Sequence, residues 1–215
     1  MTTMATVECV CSVCGAKNEY WVLASTNAFG SSDLDLRPPE MQRSTMDYWV
    51  QECPECGYVS EEVSDESSVT KEWLQSEKYL SCDGISFYSN LAKIFYKYYL
   101  INLEDKNTKD AFFAILHAAW VCDDNSDFDN AKHCRQLAIP LVDNLIDEEE
   151  ENVDNLLLIK ADLMRRSGDF NNLILKYNNV KFSDDILNKI IAFQLQKAND
   201  KDTSCYTVKD ATTES

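Results

Sequence analysis

Four of the nine cysteines fall in two copies of one five-residue motif, Cys-x-x-Cys-Gly. These four are Cys11, Cys14, Cys53 and Cys56. Two residues between paired cysteines let one tight turn direct both sulfurs at the same ion, and the glycine allows a positive φ that turns backbone N–H groups towards sulfur. Four thiolates are the ligands of a closed tetrahedral site. The spacing therefore predicts one metal ion shared by both motifs.

The two motifs are compatible with either of two metals, zinc or iron. Closed sites of four cysteines are a common form of structural zinc, which favours zinc. Iron is the alternative, because Cys-Pro-Glu-Cys-Gly-Tyr at residues 53–58 looks like a cysteine turn of rubredoxin. Cys9 is an alternative ligand, since it lies two residues before Cys11 on the same face of a predicted strand, although a strand thiol outside the site is the favoured interpretation. A closed site has no position for a reactive water molecule, so it does not indicate hydrolysis.

Residues 1–65 are predicted to form a small zinc-ribbon-like β region around the two motifs. Aromatic and β-branched residues at 7–10, 20–23 and 58–59 flank the cysteine turns, a pattern that indicates short hairpins. Residues 27–45 contain glycine, serine and a pair of prolines and are predicted to be a long loop. The length of that loop is compatible with either a functional or a disordered segment.

From residue 66 the apolar residues recur with the period of a helix. Residues 66–199 are predicted to form helical hairpins, because similar Asp-Phe turns occur at residues 127–130 and 168–171. Such turns are typical of tetratricopeptide-like arrays. Residues 200–215 are predicted to be a polar C-terminal tail. The expected fold class is α+β, with a four-cysteine β region followed by a mostly helical, tetratricopeptide-like region.

Aromatic residues cover more than one face of the helix predicted around residues 85–102. One stripe must form core, and the remaining Tyr96 and Tyr98 are candidates for lining a groove that binds another protein or a peptide. Packing against neighbouring helices is the favoured interpretation of these two tyrosines. The two histidines, His117 and His133, fall within helical patterns and are expected to be packed side chains.

The acidic composition excludes several kinds of partner. The 215 residues contain 20 Lys and Arg against 37 Asp and Glu, a formal charge of −17. Direct binding of nucleic acid and of anionic membranes is not expected, because both require clustered cations. The first residues do not resemble a signal peptide, and no apolar run is long enough to span a membrane. Together with the clustered cysteines, these features predict a cytoplasmic protein.

No catalytic set is evident in the sequence. It contains no glycine-rich phosphate loop, no serine elbow and no positioned His-carboxylate pair. Asp33 and Asp35, followed by Arg37, resemble a pair of carboxylates beside a cation, but turn capping and a local ion pair are the favoured interpretation.

Taken together, these residues resemble a bacterial family known as domain of unknown function 2225. The resemblance spans nearly the whole chain and rests on Cys11, Cys14, Cys53, Cys56, the Asp33/Asp35 segment and Cys-Pro-Glu-Cys-Gly-Tyr running into the helices. The resemblance implies zinc binding but does not indicate any biochemical activity. The additional Cys9, and Ser12 where proline is usual, depart from the family pattern without affecting the four ligands.

The sequence therefore predicts a non-enzymatic zinc-binding protein whose helical part is a scaffold for binding another protein or a peptide. The alternative is a rubredoxin-like electron carrier or oxidoreductase with iron at the same four cysteines.

Overall fold

The computed structural model describes residues 1–148 and 152–213, and it confirms the predicted α+β class. Two small antiparallel sheets precede a series of helices. The strands are β1 (Thr3–Val10), β2 (Lys17–Ser25), β3 (Gln51–Glu52) and β4 (Val59–Ser60). The helices are α1 (Glu77–Leu80), α2 (Asn90–Glu104), α3 (Thr108–Asp124), α4 (Phe128–Glu148), α5 (Val153–Arg166), α6 (Phe170–Tyr177), α7 (Asp185–Asn199) and α8 (Val208–Thr212).

The chain forms two compact units, and their boundaries differ from the predicted ones. The first unit contains residues 1–28 and 40–131, and the second contains residues 29–39 together with the chain from Lys132 onwards. The predicted division at residue 65 therefore falls inside the first unit. Part of the predicted loop at residues 27–45 belongs to the second unit instead.

In the first unit, β1 pairs with β2 and β3 pairs with β4, each around one cysteine motif. The core lies mainly between α2 and α3, which pack against each other. Each of these helices begins at a polar cap: the side chain of Ser89 accepts from the Leu91 N–H, and that of Asn107 accepts from the Asp110 N–H. Their apolar faces supply fully buried side chains, among them Phe95, Ile101, Phe112, Ile115 and Leu116.

In the second unit, α5, α6, α7 and α8 pack around an apolar core. The end of the chain is part of this packing, which corrects the prediction of a polar tail at residues 200–215. The guanidinium of Arg165 donates to the carbonyls of Asp202 and Ser204, at 2.8 Å each. Helix α8 then begins with a capping box formed by Thr207 and Asp210. Residues 214 and 215 of the predicted tail lie outside the described residues.

Residues 29–39 are held in the second unit by backbone pairing. The Leu34 N–H donates to the Tyr206 carbonyl at 3.0 Å, and the Val208 N–H donates to the Ser32 carbonyl at 2.9 Å. The partners of this segment therefore lie at the far end of the sequence.

A buried ion cluster fixes the same segment. The carboxylate of Asp35 is fully buried, accepts a hydrogen bond from Arg166 at 2.9 Å and lies 3.8 Å from the guanidinium of Arg135. The local interpretation of this carboxylate as a turn cap is thus incomplete. The Arg37 N–H does lie 3.4 Å from its other oxygen, but the charged partners come from α4 and α5. A carboxylate taken out of water needs such partners, because its desolvation is costly.

No helix among residues 1–148 and 152–213 has both the length and the apolar character needed to cross a bilayer. The helices follow one another with short connections, while their tetratricopeptide-like character stays a prediction.

We expect Asp35→Asn to destabilise the second unit by about 3–5 kcal/mol, because it removes a buried negative charge that lies against two buried guanidinium groups. Chemical denaturation followed by circular dichroism measures the loss. Glu104→Gln is the control, since it breaks an exposed pair with Lys78 and should cost no more than about 1 kcal/mol. Equal costs for the two substitutions would show that the Asp35 cluster does not hold the segment.

Candidate metal centre

The two cysteine motifs fold into turns of the same geometry. In the first, the Cys11 N–H donates to the Ala16 carbonyl and the Gly15 N–H donates to the Cys11 carbonyl, both at 2.8 Å. The second turn repeats these bonds at 2.8 and 2.9 Å. Gly15 and Gly57 have φ values of +77° and +75°, a conformation that side chains rarely adopt. The glycine of each motif is therefore a geometric requirement of the turn.

The turns bring the four predicted sulfurs together, which confirms the predicted cluster. All four lie within 4.8 Å of one another. The Cys11 and Cys56 sulfurs are 3.7 Å apart, and those of Cys14 and Cys53 are 3.6 Å apart. A tetrahedral ion with metal–sulfur bonds of about 2.3 Å needs sulfurs about 3.8 Å apart. The cysteines are free thiols, and their spacing fits a metal far better than a disulfide of about 2.05 Å.

Cys9, the alternative ligand, is not brought into this cluster. It lies on β1 opposite Asn18 of β2, and its side chain is only partly buried. The ligand set that the structure assembles is therefore the four cysteines of the two motifs.

The segment that follows the second motif ties the two turns together. The Ser12 N–H donates to the Val63 carbonyl at 2.9 Å, and the Ser12 hydroxyl donates to the Asp65 carbonyl at 2.7 Å. The hydroxyl of Tyr79, which belongs to α1, donates to the carbonyl of Gly57. These bonds connect both turns to the helical part of the same unit.

The four thiols cannot all ionise without a cation. Burial raises the pKa of Cys53, and it raises the pKa of Cys56 far above the usual range of a thiol. At Cys14 burial acts in the same direction, but the Ala16 N–H and the neighbouring thiols outweigh it and lower the pKa. Four thiolates at these distances would repel one another strongly. A bound metal ion would supply the positive charge that they need.

Two buried donors beside the cluster also fit a metal held by thiolates. The hydroxyl of Tyr20 and the amide nitrogen of Asn18 are buried and have no hydrogen-bond partner among residues 1–148 and 152–213. They lie two residues apart on β2 and so share one face. Burial, followed by the charges of the cysteines, raises the pKa of Tyr20 to about 12, which places its hydroxyl within the electrostatic field of the cluster. Neither donor forms a hydrogen bond with a cysteine sulfur, so these dipoles would act on the thiolates through space.

The sequence analysis did not predict a role for Tyr20 and Asn18, because the spacing of the cysteines identifies metal ligands and not the donors around them. The alternation along β2 was the available signal, since it directs every second side chain of this strand towards the side that carries the cysteine turns.

On its outer side the cluster borders an open depression of about 660 Å³. Cys14 and Cys56 are partly buried there, and Lys17 and Lys71 are among the residues that line the depression. Cys11 and Cys53 are fully buried. The centre thus has one shielded side and one side near solvent.

The two tyrosines proposed as interaction residues are not displayed on the surface. Tyr96 is 8% exposed and packs against Phe87 and Tyr99, with ring centroids 5.6 and 5.5 Å away. Tyr98 is 9% exposed. Both side chains contribute to packing, because the apolar stripe of α2 is wider than the single stripe that the sequence suggested.

The fold and the cysteine cluster define the class of this chain as an α+β protein with a candidate four-cysteine metal site. The chain belongs to the family described as "uncharacterized protein conserved in bacteria (DUF2225)", whose model matches residues 4–202. The comparisons found no match to a curated protein and none to a solved structure.

We expect Tyr20→Phe to weaken metal binding roughly tenfold, since substitutions in the shell around metal ligands commonly cost 10- to 100-fold in affinity. Competition of the metal-loaded protein with a chromogenic chelator measures the change. Tyr88→Phe removes an exposed hydroxyl in the same unit and should leave the affinity unchanged. If both variants release the metal as the unaltered protein does, the Tyr20 hydroxyl has no role at the centre.

Proposed function

We propose that this protein is a non-enzymatic zinc protein whose helical part is a scaffold for binding another protein. The arrangement of the four sulfurs carries the proposal. The protein itself supplies a full tetrahedral set, so the ion would have no open position for a substrate or a reactive water molecule. Zinc suits this role because it has no redox chemistry and accepts tetrahedral thiolate ligands.

A structural role for the ion is consistent with the small size of the elements around it. Strands β3 and β4 contain two residues each, and β1 and β2 form an isolated two-stranded ribbon. Such ribbons are marginally stable in water. A metal that joins both turns contributes its binding free energy to folding, as in other small zinc-containing regions.

An iron centre for electron transfer is the second candidate. The observation that favours it is the partial exposure of Cys14 and Cys56 at the open depression, since an electron carrier needs a ligand near its surface. The backbone N–H groups that donate to sulfur in both turns would suit iron as well as zinc. Colour distinguishes the two, because ferric thiolate absorbs visible light and zinc does not.

We expect one zinc ion per chain in the purified, untagged protein, measured by elemental analysis with a visible absorption spectrum. Cys53→Ser should lose the ion and the ordered near-ultraviolet signal of Trp21 and Trp49. The matched control is Cys9→Ser, which removes a thiol outside the cluster and should retain the full stoichiometry. A red protein with one iron ion per chain would contradict the zinc proposal and support the iron electron carrier. A metal-free protein would contradict both proposals.

The scaffold role has a more suitable surface than the two buried tyrosines. Tyr88 is 73% exposed and Phe128 is 68% exposed. The carboxylate of Asp127 fixes the backbone beside them, because it accepts from the Tyr88 N–H at 3.0 Å and from the Asn130 side chain at 2.8 Å. The Asn130 side chain also donates to the Ser86 carbonyl. Exposed aromatic side chains on a fixed backbone are suited to burial by a protein partner.

The proposed partner is a protein and neither nucleic acid nor a membrane, because the formal charge of −17 repels phosphate groups. The free thiols support a reducing location, and we propose the cytoplasm.

We expect a photo-crosslinking phenylalanine analogue at Phe128 to give a discrete adduct with another protein when the chain is expressed in its native host. Tyr88→Ala should reduce that adduct several-fold, because it removes the second aromatic side chain of the surface. The same analogue at Glu77, an exposed position of the same unit, is the control. Equal labelling from Phe128 and Glu77 would count against a docking surface at Tyr88 and Phe128.

A further inference from the structure

A second cavity of the first unit lies apart from the cysteine cluster. Its volume is about 390 Å³, within the range of small-molecule sites. Residues from β2, from the short helix Arg43–Tyr48 and from α2 and α3 line it, so its walls come from elements distant in sequence. The cysteine ligands are not among these lining residues. The cavity therefore needs an explanation of its own.

Aromatic rings make up much of its wall. Trp49 and Phe95 lie edge-on against His117, with ring centroids 5.1 and 5.2 Å from the imidazole. The indole N–H of Trp49 donates to the Thr45 hydroxyl at 2.9 Å, which fixes the orientation of that ring. Tyr98 completes the aromatic lining. This is the position in which the structure places one of the two tyrosines that the sequence marked for interaction.

The charged groups of the cavity are negative. Glu61 and Glu62 line it, and neither carboxylate forms a salt bridge within the described part of the chain. None of the described lining residues is a lysine or an arginine. Burial, followed by the charges of Asp110, Asp65 and Glu62, raises the pKa of Glu61, as expected where carboxylates gather without a cation between them.

We propose that this cavity binds a small organic cation that carries a quaternary or methylated ammonium group. Aromatic rings attract such a cation through the negative potential of their faces, and the methyl groups gain from contact with apolar walls. The two carboxylates supply the opposite charge. The size of the cavity matches a free small molecule, and that is the occupant to which the proposal commits.

The same features disfavour the other classes of ligand. An anion would meet two carboxylates, and His117 is the described lining residue whose side chain can carry a positive charge. Within residues 1–148 and 152–213, the group of side chains arranged to hold a metal ion is the four-cysteine cluster, and Glu61 and Glu62 are not part of it. A neutral apolar ligand would gain nothing from the two carboxylates, whose side chains are exposed to solvent. The combination of aromatic rings with carboxylates is specific to an organic cation.

The test compares choline with 3,3-dimethylbutan-1-ol, its neutral carbon analogue of the same shape. Binding to the full-length, metal-loaded protein is measured by isothermal titration calorimetry and by NMR shifts of the ligand methyl groups. We expect choline to bind at least tenfold more tightly than the alcohol, because only the charged molecule gains from the rings and the carboxylates. Equal binding of the two, or binding of neither, would overturn the proposal.

Two variants locate the site. The double substitution Glu61→Gln/Glu62→Gln should weaken choline binding roughly tenfold, and Trp49→Leu should weaken it roughly fivefold. The control Glu19→Gln/Glu77→Gln removes the same charge from positions of the same unit that are equally exposed but do not line the cavity, and it should have no effect. Thermal unfolding checks that each variant is folded, and the glutamate pair tests the site even if Trp49→Leu does not fold. Equal losses in the pocket and control variants would mean that choline responds to overall charge, and the pocket assignment would be wrong.

Discussion

Four cysteine sulfurs within 4.8 Å of one another cannot all carry negative charge unless a cation lies among them. Much of the N-terminal part of the first unit depends on this constraint. Each hairpin ends in a turn that contributes two sulfurs, and within the described part of the chain neither hairpin has a third strand to stabilise it. A cation bound by the four sulfurs would therefore join the two hairpins, each of which is weak alone. The bond from Tyr79 to the Gly57 carbonyl, and the 2.5 Å pair between Lys97 and Glu52, connect the second hairpin to α1 and α2.

In the second unit, hydrogen bonds and buried charge hold a segment that is distant in sequence, and no metal is involved in the contacts described for it. Its helices receive a segment from the N-terminal part of the chain, and the buried Asp35 carboxylate meets guanidinium groups from α4 and α5. Displacing residues 29–39 would separate these buried charges, and one uncompensated buried charge costs several kcal/mol. The cluster therefore strongly favours the observed position of the segment. The backbone bonds to Tyr206 and Val208 extend the pairing, so the end of the chain is ordered by residues near its beginning.

The features that the sequence predicted are those with local causes. A cysteine turn is determined within five residues, and the apolar period of α2 and α3 is visible within each helix. The position of residues 29–39 was not predictable, because Asp35 and Arg166 are separated by 131 residues and nothing in the local pattern pairs them. The burial of Tyr96 and Tyr98 was not predictable for a related reason: which aromatic residues of a helix are buried depends on neighbours that only the tertiary structure supplies. At the metal centre the ligands were predictable from spacing, whereas Asn18 and Tyr20 were recognisable only as buried donors without partners.

The acidic surplus of the chain attracts cations in general, so the side chains around each site must determine which cation is held. Thiolates are soft ligands, and four of them in a tetrahedron select a metal such as zinc or iron over the more abundant hard cations. Aromatic rings beside Glu61 and Glu62 have the opposite preference: they favour a large, weakly hydrated organic cation over a metal ion, whose hydration shell they cannot replace. The two sites of the first unit differ in the softness and shape of their donors more than in charge. Carboxylates are common on this surface, and it is the sulfurs at one site and the rings at the other that make each site selective.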